Sequence, residues 1–120
     1  MKIAALFLLV GFGVAVSARV NAQQPVYVPA IESCLSIRNE SDGSRAFYNN
    51  CSNKIYASVY TSSGLVFDGY YNNGHMDDVP PNQGKLRYFA CPASAEPEDA
   101  ETGERVTYNT SSYKCRKTGT

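Results

Sequence analysis

The sequence lacks the signatures of several large functional classes. It contains no G-x-S-x-G motif and no phosphate-binding P-loop, so no motif points to a serine hydrolase or a nucleotide-binding enzyme. Its cysteines form no C-x-x-C pair, which is the close spacing typical of a zinc site. It has a single histidine, and no segment after residue 33 repeats its apolar residues with the period of an α-helix. The sequence therefore predicts neither a common metal site nor a helical domain.

The N-terminus has the pattern of a secretory signal peptide. Lys2 provides a positive start, and residues 3–16 are apolar apart from small glycines and alanines. The apolar run is too short for a membrane span. Residues 20–22 form a small-residue cleavage pattern, and residues 16–18 form a second acceptable one. We predict that residues 1–22 are removed, which leaves a chain with no membrane span.

An excess of charge of either sign is also lacking, with 11 basic and 11 acidic residues. Removal of the signal peptide takes away Lys2 and Arg19 but no acidic residue, so the mature chain is slightly acidic. A nucleic-acid-binding domain presents a basic face, and a polybasic segment is needed to attract a membrane surface. We therefore expect neither nucleic acid nor a membrane surface as a partner.

What the chain does have is an even number of cysteines after the predicted signal peptide: Cys34, Cys51, Cys91 and Cys115. This arrangement predicts two disulfides formed in an oxidising compartment. We therefore expect a secreted or periplasmic protein.

The pairing follows from a predicted hairpin. Asp42-Gly43 is a strong two-residue turn signal between two strand candidates, and a turn centred there places Cys34 opposite Cys51. Opposed strand residues lie within reach of a disulfide, so we predict a Cys34–Cys51 bond, which leaves Cys91–Cys115. The same register sets Glu40 opposite Arg45. It also places these side chains on one face: Leu35, Ile37, Ala46 and Tyr48.

Short runs of β-branched and aromatic residues, separated by Gly and Asn turns, predict an all-β fold. We expect a small antiparallel β-sandwich or barrel of six to seven short strands with two disulfides. The predicted divisions are an extended N-terminal arm over 23–33, a disulfide-stapled β domain over 34–116 and a flexible tail over 117–120. Within the domain, the predicted strands are 34–39, 45–51, 54–61, 65–71, 75–79 and 84–91, followed by a short terminal stretch, 105–108 and 112–116, that is interrupted at Asn109.

Tyrosine is the abundant aromatic residue, with nine copies. Tyr56, Tyr60, Tyr70 and Tyr71 are candidates for an exposed binding surface, because tyrosine is common in interfaces. The alternative is that they cover the faces of the sheet, which their large apolar rings and polar tips also suit.

His75, Asp77 and Asp78 are weak candidates for a metal or acid–base site. Alternate strand residues share a face, so a strand here would allow His75 and Asp77 to converge but not His75 and Asp78. Two ligands are too few for a structural zinc site, so we predict no metal and no other cofactor. The alternative is a turn followed by solvated polar residues.

Acidic residues cluster late in the chain: Glu96, Glu98, Asp99, Glu101 and Glu104. They lack the ordered spacing of a calcium loop, so residues 92–104 are predicted to be a mobile, solvated loop. Such a loop would attract a basic partner electrostatically.

Four short segments of the chain are similar to a known pattern. They are Cys34-Leu35-Ser36, Asn49-Asn50-Cys51-Ser52-Asn53-Lys54-Ile55, Phe89-Ala90-Cys91-Pro92 and Tyr113-Lys114-Cys115. This spacing resembles that of small secreted bacterial cysteine-containing proteins of uncharacterised function. The resemblance implies a bacterial origin and an envelope or extracellular location, and it implies no activity and no catalytic residues.

From these features we expect a secreted or periplasmic, non-enzymatic binding module for a protein or an envelope glycan. One alternative is an inhibitor of an extracellular hydrolase that presents residues 92–104 or 75–82 as a blocking loop. A second is a small metal-dependent hydrolase that uses His75, Asp77 and Asp78. A third is a structural protein of a coat or matrix.

Overall fold

The chain folds into short strands because its apolar residues recur at alternate positions between turns. The computed structural model describes residues 24–118, so the predicted signal peptide over 1–22 lies outside the described residues. Within 24–118 the regular structure is one 3-10 helix (Glu32–Cys34) and nine strands. The strands are β1 (Tyr27–Val28), β2 (Leu35–Asn39), β3 (Arg45–Asn49), β4 (Ile55–Thr61), β5 (Gly64–Tyr71), β6 (Gly74–Val79), β7 (Arg87–Pro92), β8 (Ala95–Asp99) and β9 (Tyr113–Lys117).

These strands form three antiparallel sheets. The first sheet has the order β2-β3-β6, the central sheet β5-β4-β7 and the third sheet β1-β9-β8. The predicted all-β, antiparallel fold is confirmed. The strand count is higher than the predicted six or seven because β1 forms within the N-terminal arm and β8 forms within the predicted acidic loop.

The central sheet is covered on both faces. On one face, Val59 and Phe67 pack with Phe47 and Val79 of the first sheet. On the other, Cys91 packs with Ala95 and Cys115 of the third sheet. This is why all but one residue of the middle strand β4 are buried, although only alternate residues face any one neighbour.

Both predicted disulfides are confirmed. Cys34–Cys51 joins the residue before β2 to the segment after β3 with 5.2 Å between its Cα atoms, and Cys91–Cys115 joins β7 to β9 with 5.6 Å. The first bond stays within one sheet. The second fastens the third sheet to the central sheet.

The predicted register of the first hairpin is wrong by one residue. Leu35 pairs with Asn49 and Asn39 pairs with Arg45, so Glu40 does not face Arg45. The turn is a three-residue loop in which the Gly43 amide donates to the Glu40 carbonyl (3.0 Å) and Gly43 adopts a φ of 91°.

This slip moves the side chains of β3 to opposite faces. Phe47 and Asn49, and not Ala46 and Tyr48, share a face with Leu35 and Ile37. The disulfide still forms in the shifted register. The Asn50 amide donates to the Cys34 carbonyl (2.8 Å), which brings the next residue, Cys51, beside Cys34.

The end of the chain also differs from the prediction. Residues 95–99 form a strand because Ala95 and Pro97 alternate as buried residues with the acids, and a proline is tolerated on an edge strand. Residues 105–108 form no strand, and Arg105 makes only an isolated bridge to Glu98. The predicted tail begins with ordered contacts, since Lys117 ends β9 and the Thr118 amide donates to the Ser94 carbonyl (2.8 Å).

Candidate functional site

An open groove of about 470 Å³ runs beside β7. Its floor is residues 86–89, one wall is Ala30 and Glu32, and the other wall is residues 111–113. The volume falls within the range of roughly 300–1,000 Å³ that is usual for ligand sites. Three separate parts of the chain therefore meet in one concave surface.

The floor of this groove is the outer edge of β7, which is occupied at Ala90 and open at Tyr88. The Ala90 carbonyl accepts from the Ile31 amide (3.2 Å), and the Ala90 amide donates to the Tyr113 hydroxyl (3.2 Å). The main chain of Ala90 thus points away from β4, the strand that β7 pairs with in the described part of the chain. Because bonding direction alternates along an antiparallel strand, the main chain of Tyr88 points the same way. Within residues 24–118 no hydrogen bond is found for it on that side.

One end of the groove is basic. The Arg87 guanidinium donates to the Thr110 carbonyl, and its carbon lies 5.5 Å from the centre of the Phe89 ring. Thr110 is itself buried, and its hydroxyl donates to Asp99 (3.1 Å) and accepts from the Thr107 amide (2.9 Å). These bonds fix the wall against which Arg87 rests.

The other end is acidic. Glu32 lies near the Tyr113 hydroxyl, which is held 3.2 Å from both the amide nitrogen and the carbonyl oxygen of Ala90. Burial raises the pKa of Tyr113 above its ordinary value of 10.0, and the negative charge of Glu32 raises that pKa further. The Tyr113 ring packs edge-on against Phe89 at 5.0 Å. This end is therefore a neutral hydroxyl with a carboxylate beside it.

The four predicted binding tyrosines do not form one surface. Tyr70 and Tyr71 are consecutive strand residues, so they lie on opposite faces. Tyr71 packs on Phe67 in the core, and burial raises the pKa of Tyr71 to about 12. Tyr70 is 53% exposed.

The remaining two tyrosines lie on one face of β4, and their hydroxyls form hydrogen bonds within the protein. The Tyr56 hydroxyl donates to Asp68 (3.1 Å), and the Tyr60 hydroxyl donates to the Val106 carbonyl (3.0 Å). Burial raises the pKa of both hydroxyls. Their tips are thus satisfied within the protein, and Tyr70 is the exposed member of the predicted set.

The expectation that Asp78 is kept apart from His75 is wrong. His75 Nε2 lies 2.8 Å from Asp78 Oδ1, whereas Asp77 accepts from the Asp78 amide. The cause is a bulge in β6, where Met76 is an extra residue between the partners of Tyr48 and Phe47. Within residues 24–118 no group of three or more His, Cys, Asp or Glu side chains is placed to hold a metal.

The acidic segment is ordered, and one of its carboxylates, that of Asp99, accepts several hydrogen bonds within the protein. Asp99 accepts from the Glu101 and Thr102 amides (2.8 and 3.2 Å) and from the Thr110 hydroxyl. These hydrogen bonds hold the pKa of Asp99 below its ordinary value of 3.8, and the bond from the Glu101 amide has the largest effect. The proposed blocking loop over 92–104 is therefore mostly β8 and a tight turn. Residues 75–79 of the other proposed loop likewise lie in β6.

We expect Asp99 to contribute to the pH dependence of stability. A lowered carboxyl pKa contributes stability that is present above the unfolded pKa and is lost as pH falls through the folded pKa. Asp99→Asn should lower the free energy of unfolding at pH 7 and flatten its decline below about pH 4, measured by urea denaturation from pH 2 to 7. Glu101→Gln removes a charge from the same turn and should change stability at pH 7 by less than about 0.5 kcal/mol. Identical pH profiles for the wild type and Asp99→Asn would contradict this role.

Sequence reasoning missed the groove. Its polar residues Glu32, Arg87, Ser111 and Ser112 form no motif, and its most important groups belong to the main chain of Tyr88. No sequence signal of a conventional kind could have found it, because the walls come from segments that are far apart in the chain.

Comparison of the chain with family models, with curated proteins and with solved structures gives no match. Across residues 24–118, the structure contains no helix that combines the length and the apolar character needed to cross a membrane. The geometry of the groove is thus the main ground for assigning a function.

Proposed function

We propose that the protein is a secreted or periplasmic, non-enzymatic binding module that captures an extended segment of a partner protein. The segment adds to the open edge of β7 as an extra strand. The observation that carries this proposal is that the groove lies along the outward-facing main chain of Tyr88. Strand addition of this kind gains affinity from main-chain hydrogen bonds and specificity from the flanking walls.

The rigidity of the groove supports this role. Cys91–Cys115 joins the floor strand to the strand that bears Tyr113, and the Tyr113 hydroxyl is held at Ala90. The Ile31 amide fixes the opposite wall to the same residue. A site whose walls are already in place loses less conformational entropy when a ligand binds.

Two disulfides, the predicted signal peptide and the resemblance to small secreted bacterial proteins support the proposed compartment. An extended segment is preferred to an envelope glycan because the unpaired groups on the groove floor are an amide and a carbonyl. These groups match the hydrogen-bonding pattern of another peptide main chain.

The test compares two variants at the same position. Tyr88→Ala and Tyr88→Pro both remove the ring, but only proline also removes the outward amide. The probe is a library of capped eight-residue peptides with alternating Val and Thr and varied charged positions, presented to the oxidised protein. We expect Tyr88→Ala to retain binding and Tyr88→Pro to bind at least about tenfold more weakly, as expected for the loss of a main-chain hydrogen bond.

Circular dichroism and urea denaturation establish that both variants are folded before affinities are compared. Equal affinities of the two folded variants would contradict strand addition. Binding of glycans with no binding of any peptide would contradict the choice of a protein segment.

A further inference from the structure

The groove has opposite charges at its two ends. Arg87 lies at the end where β7 begins, and Glu32 lies near Ala90, three residues further along the strand. At a strand rise of about 3.3 Å per residue, these positions are roughly 10 Å apart. The groove therefore has a basic end and an acidic end.

Both charges border the same side of the edge. Arg87 and Phe89 are alternate residues of β7 and share a face, and Phe89 packs on Tyr113. Glu32 lines the same groove as Phe89 and Tyr113, so its carboxylate lies on the same side of the edge as Arg87.

Neither charge is neutralised by another residue of the described chain. The ion pairs found within 24–118 are His75–Asp78 and Arg105–Asp68. The hydrogen bond found for Arg87 joins its Nη2 atom to a neutral carbonyl, which leaves other guanidinium N–H groups for a ligand.

We infer that the groove selects its ligand by the order of charges: an extended segment with a basic side chain N-terminal to an acidic one, added antiparallel to β7. This inference rests on the proposed function and specifies its partner. An antiparallel strand places its N-terminal half near Ala90 and Glu32 and its C-terminal half near Arg87. Every ladder in residues 24–118 is antiparallel, and antiparallel pairing is slightly the more stable. The two charges belong an even number of residues apart, so that both face the same wall.

Two capped peptides of identical composition test the inference. One is Thr-Lys-Thr-Val-Thr-Glu-Thr, and the other is the same sequence reversed, so that Glu precedes Lys. By fluorescence anisotropy at low salt, the Lys-first peptide should bind the oxidised protein about fivefold more tightly, the size expected from two partly exposed ion pairs. The difference should shrink at about 0.5 M salt because screening weakens such pairs.

Variants of Glu32 and Arg87 test whether these two residues cause the preference for the Lys-first peptide. Glu32→Gln and Arg87→Gln should each reduce the ratio of the two affinities, and the double variant should bring it to about one. Glu40→Gln removes a charge from the distant hairpin and should leave the ratio unchanged. Each variant replaces a charged side chain by an uncharged one of similar shape. Urea denaturation checks that each variant is folded.

The outcomes separate this inference from the proposed function. Equal binding of the two peptides, or preference for the Glu-first peptide, overturns the charge order but leaves strand addition standing. If neither peptide binds while other members of the library do, the charge order is again overturned. If no peptide of any sequence binds, both proposals fail.

Discussion

Replacing both Cys91 and Cys115 by alanine is expected to lower the free energy of unfolding by about 4 kcal/mol. The bond closes a separation of 24 residues, for which loop entropy alone predicts roughly 3 kcal/mol. Both sulfurs are also buried, and the cluster around them contains just one other fully buried residue, Ala95. Loss of the bond therefore removes the covalent link between the third and central sheets and leaves the contacts of Tyr113 with Phe89 and Ala90. Urea denaturation under non-reducing conditions measures the effect.

The matched control is the double alanine variant of Cys34 and Cys51. That bond closes a similar separation of 17 residues, but it joins strands already paired by a ladder, and Cys51 is only partly buried. We expect a smaller loss of about 3 kcal/mol. A larger loss in this control than in the Cys91 and Cys115 variant would contradict the view that the second bond holds the sheets together.

Asn49→Ala is expected to have the next largest effect, about 3 kcal/mol. The Asn49 side chain is fully buried, donates to the carbonyls of Asn53 and Tyr71 (3.0 and 3.2 Å) and accepts from the Cys51 amide (2.9 Å). Alanine leaves all three main-chain groups without this partner in a partly buried place, and unmet buried polar groups are costly.

Asn50→Ala is the control for this prediction. The Asn50 side chain is exposed, and the substitution keeps the hydrogen bond from the residue 50 amide to the Cys34 carbonyl. Its stability should stay within about 0.5 kcal/mol of the wild type in the same urea measurement. Equal losses in the two variants would show that Asn49 does not have the special role that its contacts indicate.

Much of the fold could be predicted from local patterns. Short runs of β-branched and aromatic residues predicted the strands, including 54–61 for β4, and the count between Cys34 and Cys51 predicted the disulfide pairing. The register failed because Asp42-Gly43 serves both two-residue and three-residue turns, and the sequence alone does not distinguish them. The left-handed φ of Gly43 is common to both solutions.

The other errors have equally local causes. Pro97 and the neighbouring acids indicate a loop over 95–99, but pairing with β9 stabilises a short strand there. His75 meets Asp78 because Met76 inserts as a bulge, and strand periodicity cannot anticipate an inserted residue.

The candidate site was harder to predict from the sequence than the fold. Residue type alone predicts a binding role for four tyrosines, but the hydroxyls of Tyr56 and Tyr60 form hydrogen bonds within the protein and Tyr71 packs in the core. The groove depends on which edge of β7 remains open. That is a property of the assembled sheets and not of any segment read alone.

Amide hydrogen exchange of the oxidised protein, followed by NMR with and without the saturating Lys-first peptide, tests strand addition most directly. The Tyr88 amide should exchange at least about tenfold more slowly in the complex, because it gains a hydrogen-bond partner. The Ala90 amide should change little, since it already donates to Tyr113. Unchanged exchange at Tyr88 in a saturated complex, with protection at the exposed Leu65 and Tyr70 of β5 instead, would contradict the account.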